Sequence, residues 1–177
     1  MADITNSTFN PWMQQFALTG FPNGVDLHGF GVRAATFQLT SANLLALQTT
    51  AITLVAPPML GGGITTPPGG YVFFPVQLLA EYVFGGTAYT IANADNAFQI
   101  EYVGKSTALL SMLVTGLVDQ TASTQARNLA TNPGPKISLA NSANLGLEVK
   151  LIGTTPALTL GNGTVNLYLQ YGVACMF

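Results

Sequence analysis

The stretch Thr164–Val173 constrains this chain more than any other. Val165, Leu167, Leu169, Tyr171 and Val173 alternate with Thr164, Asn166, Tyr168, Gln170 and Gly172. A period of two places each set on one face of a strand, so one face meets a core and the other meets solvent or a neighbour. The same period recurs in Thr36-Phe-Gln-Leu-Thr40 and in Ala51-Ile-Thr-Leu-Val55, which ends at Pro57-Pro58. Phe98, Ile100 and Tyr102 share a face opposite Gln99 and Glu101. Leu145, Leu147, Val149 and Leu151 share one opposite Glu148 and Lys150. No long helical period competes with this pattern. One short helix is expected at Ala42–Leu47, capped by Thr40 or Ser41 and favoured by its Ala and Leu content. The mixed polar segment Thr121–Ala130 reads as a loop or a second short helix.

Turn chemistry divides the strands. Gly61-Gly-Gly63 and Pro67-Pro-Gly-Gly70 break the chain after the second alternating run. Gly85-Gly86 and Gly161-Asn-Gly163 carry the residue types that tolerate the positive φ of tight hairpins. The second of these predicts a pairing between the strands on either side of it, with Pro156–Leu160 leading in.

The first 32 residues differ in character. Trp12, Phe16, Leu18, Phe21 and Phe30 are spread among Gly, Asn and Gln, and Pro11 and Pro22 break structure. The expected organisation is an extended N-terminal arm over 1–32 and a β-sandwich domain over 33–177. The expected fold class is all-β: a jelly-roll-like antiparallel sandwich with at most one or two short helices. No internal repeat of fixed period is evident.

A chain of 177 residues can bury a real core, about 70% of its unfolded surface. Only 7% of its residues are charged, against about 25% in an ordinary domain. Three kinds of chain are this poor in charge: disordered, membrane-embedded, or covered by partners. The chain is 49% hydrophobic and 10% aromatic, which argues against disorder. A membrane helix needs about 20 apolar residues in a row. Tyr71–Phe84 is interrupted by Pro75, Gln77 and Glu81, and Thr107–Val118 is too short. A membrane barrel would show evenly spaced strands ending in aromatic girdles, and that spacing is not seen. A surface covered by copies or other subunits is left.

The five basic residues, Arg33, Lys105, Arg127, Lys136 and Lys150, are scattered. They form no stripe to neutralise phosphates, so no nucleic-acid partner is expected. Met1-Ala-Asp-Ile-Thr-Asn has neither the charged nor the apolar region of a secretory leader, and a single Cys175 fits folding in a reducing cytoplasm.

Little in the sequence supports catalysis. His28 is the one histidine, with Asp26 two residues away as an orienting carboxylate. They lack a second His or a nearby thiol for a zinc site. Cys175 has apolar neighbours rather than the basic setting of a nucleophile. Glu81, Asp95, Glu101, Asp119 and Glu148 are isolated in sequence. Glu101 and Glu148 fall on outer strand faces, where solvated or ion-paired side chains are expected rather than a glycosidase pair. Gly61-Gly-Gly63 lacks the Lys-Ser/Thr of a phosphate loop. Tyr71, Phe73, Phe74, Tyr82, Phe84, Tyr89, Phe98 and Tyr102 read as core or interface packing before they read as a sugar-binding face. The expectation is no catalytic residue, no metal and no cofactor.

From about Thr36 to Phe177 the chain resembles a family of small phage virion proteins with a jelly-roll-like β-sandwich. The resemblance is carried by Phe37–Leu47, Ile52-Thr-Leu-Val-Ala-Pro57, the apolar strand Tyr71–Tyr82, Gly85-Gly-Thr-Ala-Tyr89 and Phe98–Tyr102. It ends in what looks like a closing hairpin, Asn144–Leu151 and Gly163–Tyr171 around the Gly-Asn-Gly turn. Such proteins are similar in role to head decoration or cement proteins, which often trimerise and sit on the outside of the shell. The resemblance implies a homotrimer bound to a major capsid protein or other virion proteins, made in a bacterial host cytoplasm, with no active site. It also admits a tail, collar or fibre-associated role. A carbohydrate-binding jelly-roll module is the alternative of another class, and it requires exposed aromatics beside polar groups. Within the arm, Trp12, Phe16 and Phe21 are the expected anchors, because large rigid aromatics dominate interfaces.

Overall fold

The computed structural model describes residues 31–57, 70–129, 141–153 and 158–175. In chain order the elements are β1 (Gly31–Leu39), α1 (Ser41–Ala46), β2 (Ile52–Val55), β3 (Tyr71–Val83), β4 (Thr90–Ile91), β5 (Ala97–Tyr102), β6 (Leu110–Leu113), β7 (Thr124–Leu129), β8 (Leu147–Ile152), β9 (Leu158–Thr159) and β10 (Thr164–Cys175). One four-stranded sheet has the order β1-β10-β3-β7 and the other β2-β8-β5-β6; β4 and β9 form a small ribbon. Among the described residues every strand pairing is antiparallel. With the ribbon set aside, the first long strand pairs with the last, the second with the second-last, and so inward to β5 and β6. A long hairpin wrapped on itself in this way is the jelly roll of two Greek keys. The all-β sandwich expected from the alternation is the fold observed.

The core lies between the two sheets. On β10, Val165, Leu167, Leu169, Tyr171 and Val173 are buried, as their period predicts. On β3 the buried set changes parity, from Tyr71 and Phe73 to Leu78, Ala80 and Tyr82. The cause is a bulge: Gln170 pairs with Gln77 but Tyr171 pairs with Pro75. One extra residue flips the strand's facing set back into phase with its partner. Pro75 is tolerated there because the ladder to β7 covers only Gln77–Tyr82, so no donor is missed on that side. β5 contributes Phe98, Ile100 and Tyr102 to the core, and the Tyr102 hydroxyl donates to the Phe73 carbonyl at 2.6 Å across the sheets.

α1 starts one residue earlier than expected. Thr40 caps it, accepting from the Asn43 N–H, while the Asn43 side chain accepts from the Thr40 N–H, a capping box with Asn in the usual Glu position. Fully buried Leu44 and Leu47 fix this short helix against the core.

Three expectations are corrected. Residues 124–129 form β7, neither loop nor helix, because this edge strand of the β1-containing sheet pairs along β3 whatever its propensity. The closing hairpin does not exist: β8 and β10 lie in different sheets. The Gly-Asn-Gly turn is a real turn, but its work is to clasp the other glycine turn. Asn162 Oδ1 accepts from the Thr87 N–H at 2.9 Å, and its N–H donates to the Thr87 carbonyl at 3.2 Å. A Cβ on Gly85 would come within 2.4 Å of the Asn162 carbonyl, so glycine permits the contact. Finally, Glu101 is not solvated on an outer face; it is buried, as described below.

Candidate assembly and binding surfaces

Sheet register gathers four connections at one end of the sandwich. Leu39 pairs with Val165 and Val83 with Thr164, which places the ends of β1 and β3 beside the start of β10. Ala97 pairs with both Leu113 and Ile152. The β4–β9 ribbon and α1 close the same end. Leu45 on α1, Val83, Leu113 and Leu160 project there as exposed large apolar side chains, Leu160 at 69% and Leu113 at 57% exposure. Leu160 also takes φ 55°, a left-handed conformation that leucine rarely enters, immediately before Gly161 at φ 87°. Segments 40–51, 84–96, 114–123 and 153–163 contain no basic residue, and Asp95 and Asp119 are their only charged ones. Asp119 is turned inward on its own loop, accepting from the Gly116 N–H at 2.8 Å and from Gln120 at 3.0 Å. This end is a nearly uncharged cap, in which four large apolar side chains stand exposed among polar ones such as Thr49, Thr50 and Thr87.

The outer face of the β1-β10-β3 region has a different chemistry. Three cross-strand rows point outward: Gln38, Asn166 and Glu81; Thr36, Tyr168 and Leu79; Ala34, Gln170 and Gln77. In the first row Gln38 donates to Asn166 Oδ1 at 3.3 Å, and Asn166 donates to Glu81 Oε2 at 3.1 Å. The Tyr168 hydroxyl donates to the same carboxylate oxygen at 3.1 Å. Its ring is 37% exposed. The hydrogen bond to Glu81 raises the Tyr168 pKa, followed by weaker effects of desolvation and the carboxylate charge, so the phenol stays a donor.

The outer face of the other sheet carries a third arrangement. Glu101 on β5 is 2% exposed, and its Oε2 has no hydrogen-bond partner. The register sets it directly opposite Glu148 on β8, with Lys150 two residues along. Burial raises the Glu101 pKa, the Lys150 ammonium opposes this, and the Glu148 charge adds to it. Glu148 Oε1 accepts from the Gly104 N–H at 3.0 Å.

The sequence-predicted site residues fare unevenly. Trp12, Phe16 and Phe21, the rest of the expected arm up to residue 30, His28 with Asp26, and Gly61–Gly63 lie outside the described residues, as does the side chain of Cys175. Glu81 lies on the outer face of the β1-β10-β3 region and Asp95 and Asp119 on the connections at the cap, while Glu101 and Glu148 face each other across the β5–β8 ladder. Among the described residues no group of three or more His, Cys, Asp or Glu could hold a metal, and no helix is long and apolar enough to cross a membrane. Of the aromatics expected to serve core or interface packing before a sugar face, Tyr71, Phe73, Tyr82, Tyr89, Phe98 and Tyr102 are buried in the core. Tyr168, not among them, is exposed. The signal was present: an aromatic standing on the polar side of the cleanest alternation, between Asn166 and Gln170.

No family model and no curated protein matches the chain. Among solved structures it is similar to a chain of the cyanophage Pam1 capsid asymmetric unit, at TM-score 0.42 and 12% identity, covering 86% of this chain and 91% of that one. It is also similar to a chain of mud crab tombus-like virus, at TM-score 0.23 and 9% identity, covering 89% of this chain and 86% of that one. The jelly-roll assignment rests on strand order itself.

Proposed function

We propose that this chain is a non-enzymatic structural protein of a tailed-bacteriophage virion, and specifically a decoration or cement protein on the capsid exterior. The observation that carries the reading is the nearly uncharged cap of the jelly roll, with Leu45, Val83, Leu113 and Leu160 exposed and no basic residue in the four connections behind them. Jelly rolls serve chiefly as virus shell subunits, lectins and cupins. A cupin-type metal centre has little to draw on in a chain with one histidine. Several large apolar side chains exposed at one end of a chain so poor in charge suit a surface that a partner covers. Leu160 supports this, since a strained backbone holding out an apolar side chain is retained where the side chain has a use.

In this role the cap meets copies of the chain, in a homotrimer, or the major capsid protein. Trp12, Phe16 and Phe21 add anchoring area from the arm. Stability of the shell then comes from surface buried across several subunits at once, and loss of the protein requires many contacts to break together. Native mass spectrometry on the purified chain, with cryo-electron microscopy of the particle that carries it, tests the reading. The expected results are a trimer and density on the outside of the head. Leu113→Asp and Leu160→Asp should each weaken association. Deletion of residues 1–22 should reduce retention on the shell. A monomeric chain found only on the tail would overturn the capsid reading.

A further inference from the structure

We propose that the outer face of β1, β10 and β3 binds a neutral hexose-type glycan, with the Tyr168 ring as its stacking platform. The inference does not depend on the virion reading. Tyr168 is paired in register with Leu79, yet its hydroxyl reaches Glu81, the diagonal neighbour two residues along β3. To make that bond the side chain must lie along the sheet rather than stand off it. Tyr168 is 37% exposed, and a ring lying along a sheet offers one of its faces to solvent. An aromatic face beside hydrogen-bonding groups suits the weakly apolar C–H face of a pyranose, whose edges are ringed with hydroxyls.

The groups around the ring are of the right kind. Gln38 and Asn166 lie in the row on one side, Gln170 and Gln77 in the row on the other. Rows on one face are about 7 Å apart along the strand and neighbouring strands about 5 Å apart, the scale of a single sugar ring. Amides donate and accept, as hydroxyls do. Glu81 already accepts from Asn166 and Tyr168 through Oε2. That fixes the platform before any ligand arrives and lowers the ordering cost of binding. The register gives these rows one charge of each sign, Glu81 and, on β7 opposite Leu79, Arg127, so the face carries no net charge and suits a neutral ligand.

The test is a glycan array probed with the full chain, followed by isothermal titration calorimetry on the strongest neutral oligosaccharide. Binding to neutral hexose-containing glycans is expected. Tyr168→Ala should weaken it about tenfold, while Tyr168→Phe, which keeps the ring, should cost about threefold or less. Gln170→Ala, on an exposed position that leaves the fold untouched, should cost about threefold. Circular dichroism melts confirm that each variant is folded. Silence across the neutral glycans overturns the proposal and leaves the face to a protein partner. So does binding confined to acidic glycans, and so does neutral-glycan binding that Tyr168→Ala and Gln170→Ala both leave unchanged.

Discussion

Glu81 and Glu101 occupy comparable positions and meet opposite fates. Each lies on an interior strand of its sheet, and each points away from the core. Glu81 sits among neutral donors, with Asn166 and Tyr168 both directed at Oε2. Glu101 is buried, faces Glu148 across the ladder, and leaves Oε2 without a hydrogen bond. An outward position in a sheet thus fixes direction and not solvation. What decides whether a carboxylate is stabilised there is the row it belongs to: amide and phenol in one case, a second carboxylate in the other. Like charges directly opposite one another destabilise a strand pair, and a buried acceptor without a donor costs more than an ordinary hydrogen bond contributes.

The sharpest way to break this comparison is Glu101→Gln. Removing the buried charge should raise stability at neutral pH by about 1–2 kcal/mol, or about 2–8 °C in the thermal midpoint, measured by differential scanning calorimetry. A lowered midpoint would mean that the charge is compensated in the folded protein. The pH dependence follows in size. The folded pKa of Glu101 lies above its ordinary value of 4.5, so the folded state holds its proton longer than the unfolded chain does. Below about pH 4.5 both forms are protonated and the penalty is absent. As pH rises from there through the folded pKa, this residue's contribution to stability is lost. Chemical denaturation across that window should therefore show a decline that Glu101→Gln flattens. Glu148→Gln should give a smaller gain, about half that of Glu101→Gln, because it relieves the repulsion but weakens the acceptor for the Gly104 N–H. Glu81→Gln should change the midpoint least, by about 0.5 kcal/mol or less, since an amide oxygen can still accept from one of the two donors.

Much of the fold was legible in the sequence. Alternation located β1, β2, β5, β8 and β10 and assigned the core faces of β8 and β10 residue by residue. Thr40, one of the two cap candidates, announced the helix start. Partner choice was not legible, because it depends on contacts between segments far apart. The sheet register joins Gly31 to Val173 and Tyr71 to Cys175, and no local turn signal encodes such pairs. β7 was missed because Thr-Gln-Ala-Arg-Asn-Leu has no alternation of its own, and its strand state comes from lying along β3. The candidate surfaces were read less well for a related reason. The period of two shows which way Glu101 points but not that its strand lies inside a sheet. It shows that Tyr168 points outward but not that Glu81 will be there to lay its ring down.

The central position of β10 has a consequence for the order of events in the cell. This strand is hydrogen-bonded on one side to β1 and on the other to β3, so two segments made early must wait for one made late. A nascent chain that stops before Thr164 presents two open strand edges with no partner between them, the state most prone to pairing with the wrong molecule. Folding of this sheet is therefore slow, since its pairings span most of the chain, and it completes abruptly when the last long strand slots in. A chain built this way completes the sheet in a single late step, and a copy truncated before Thr164 keeps the open edges that favour aggregation.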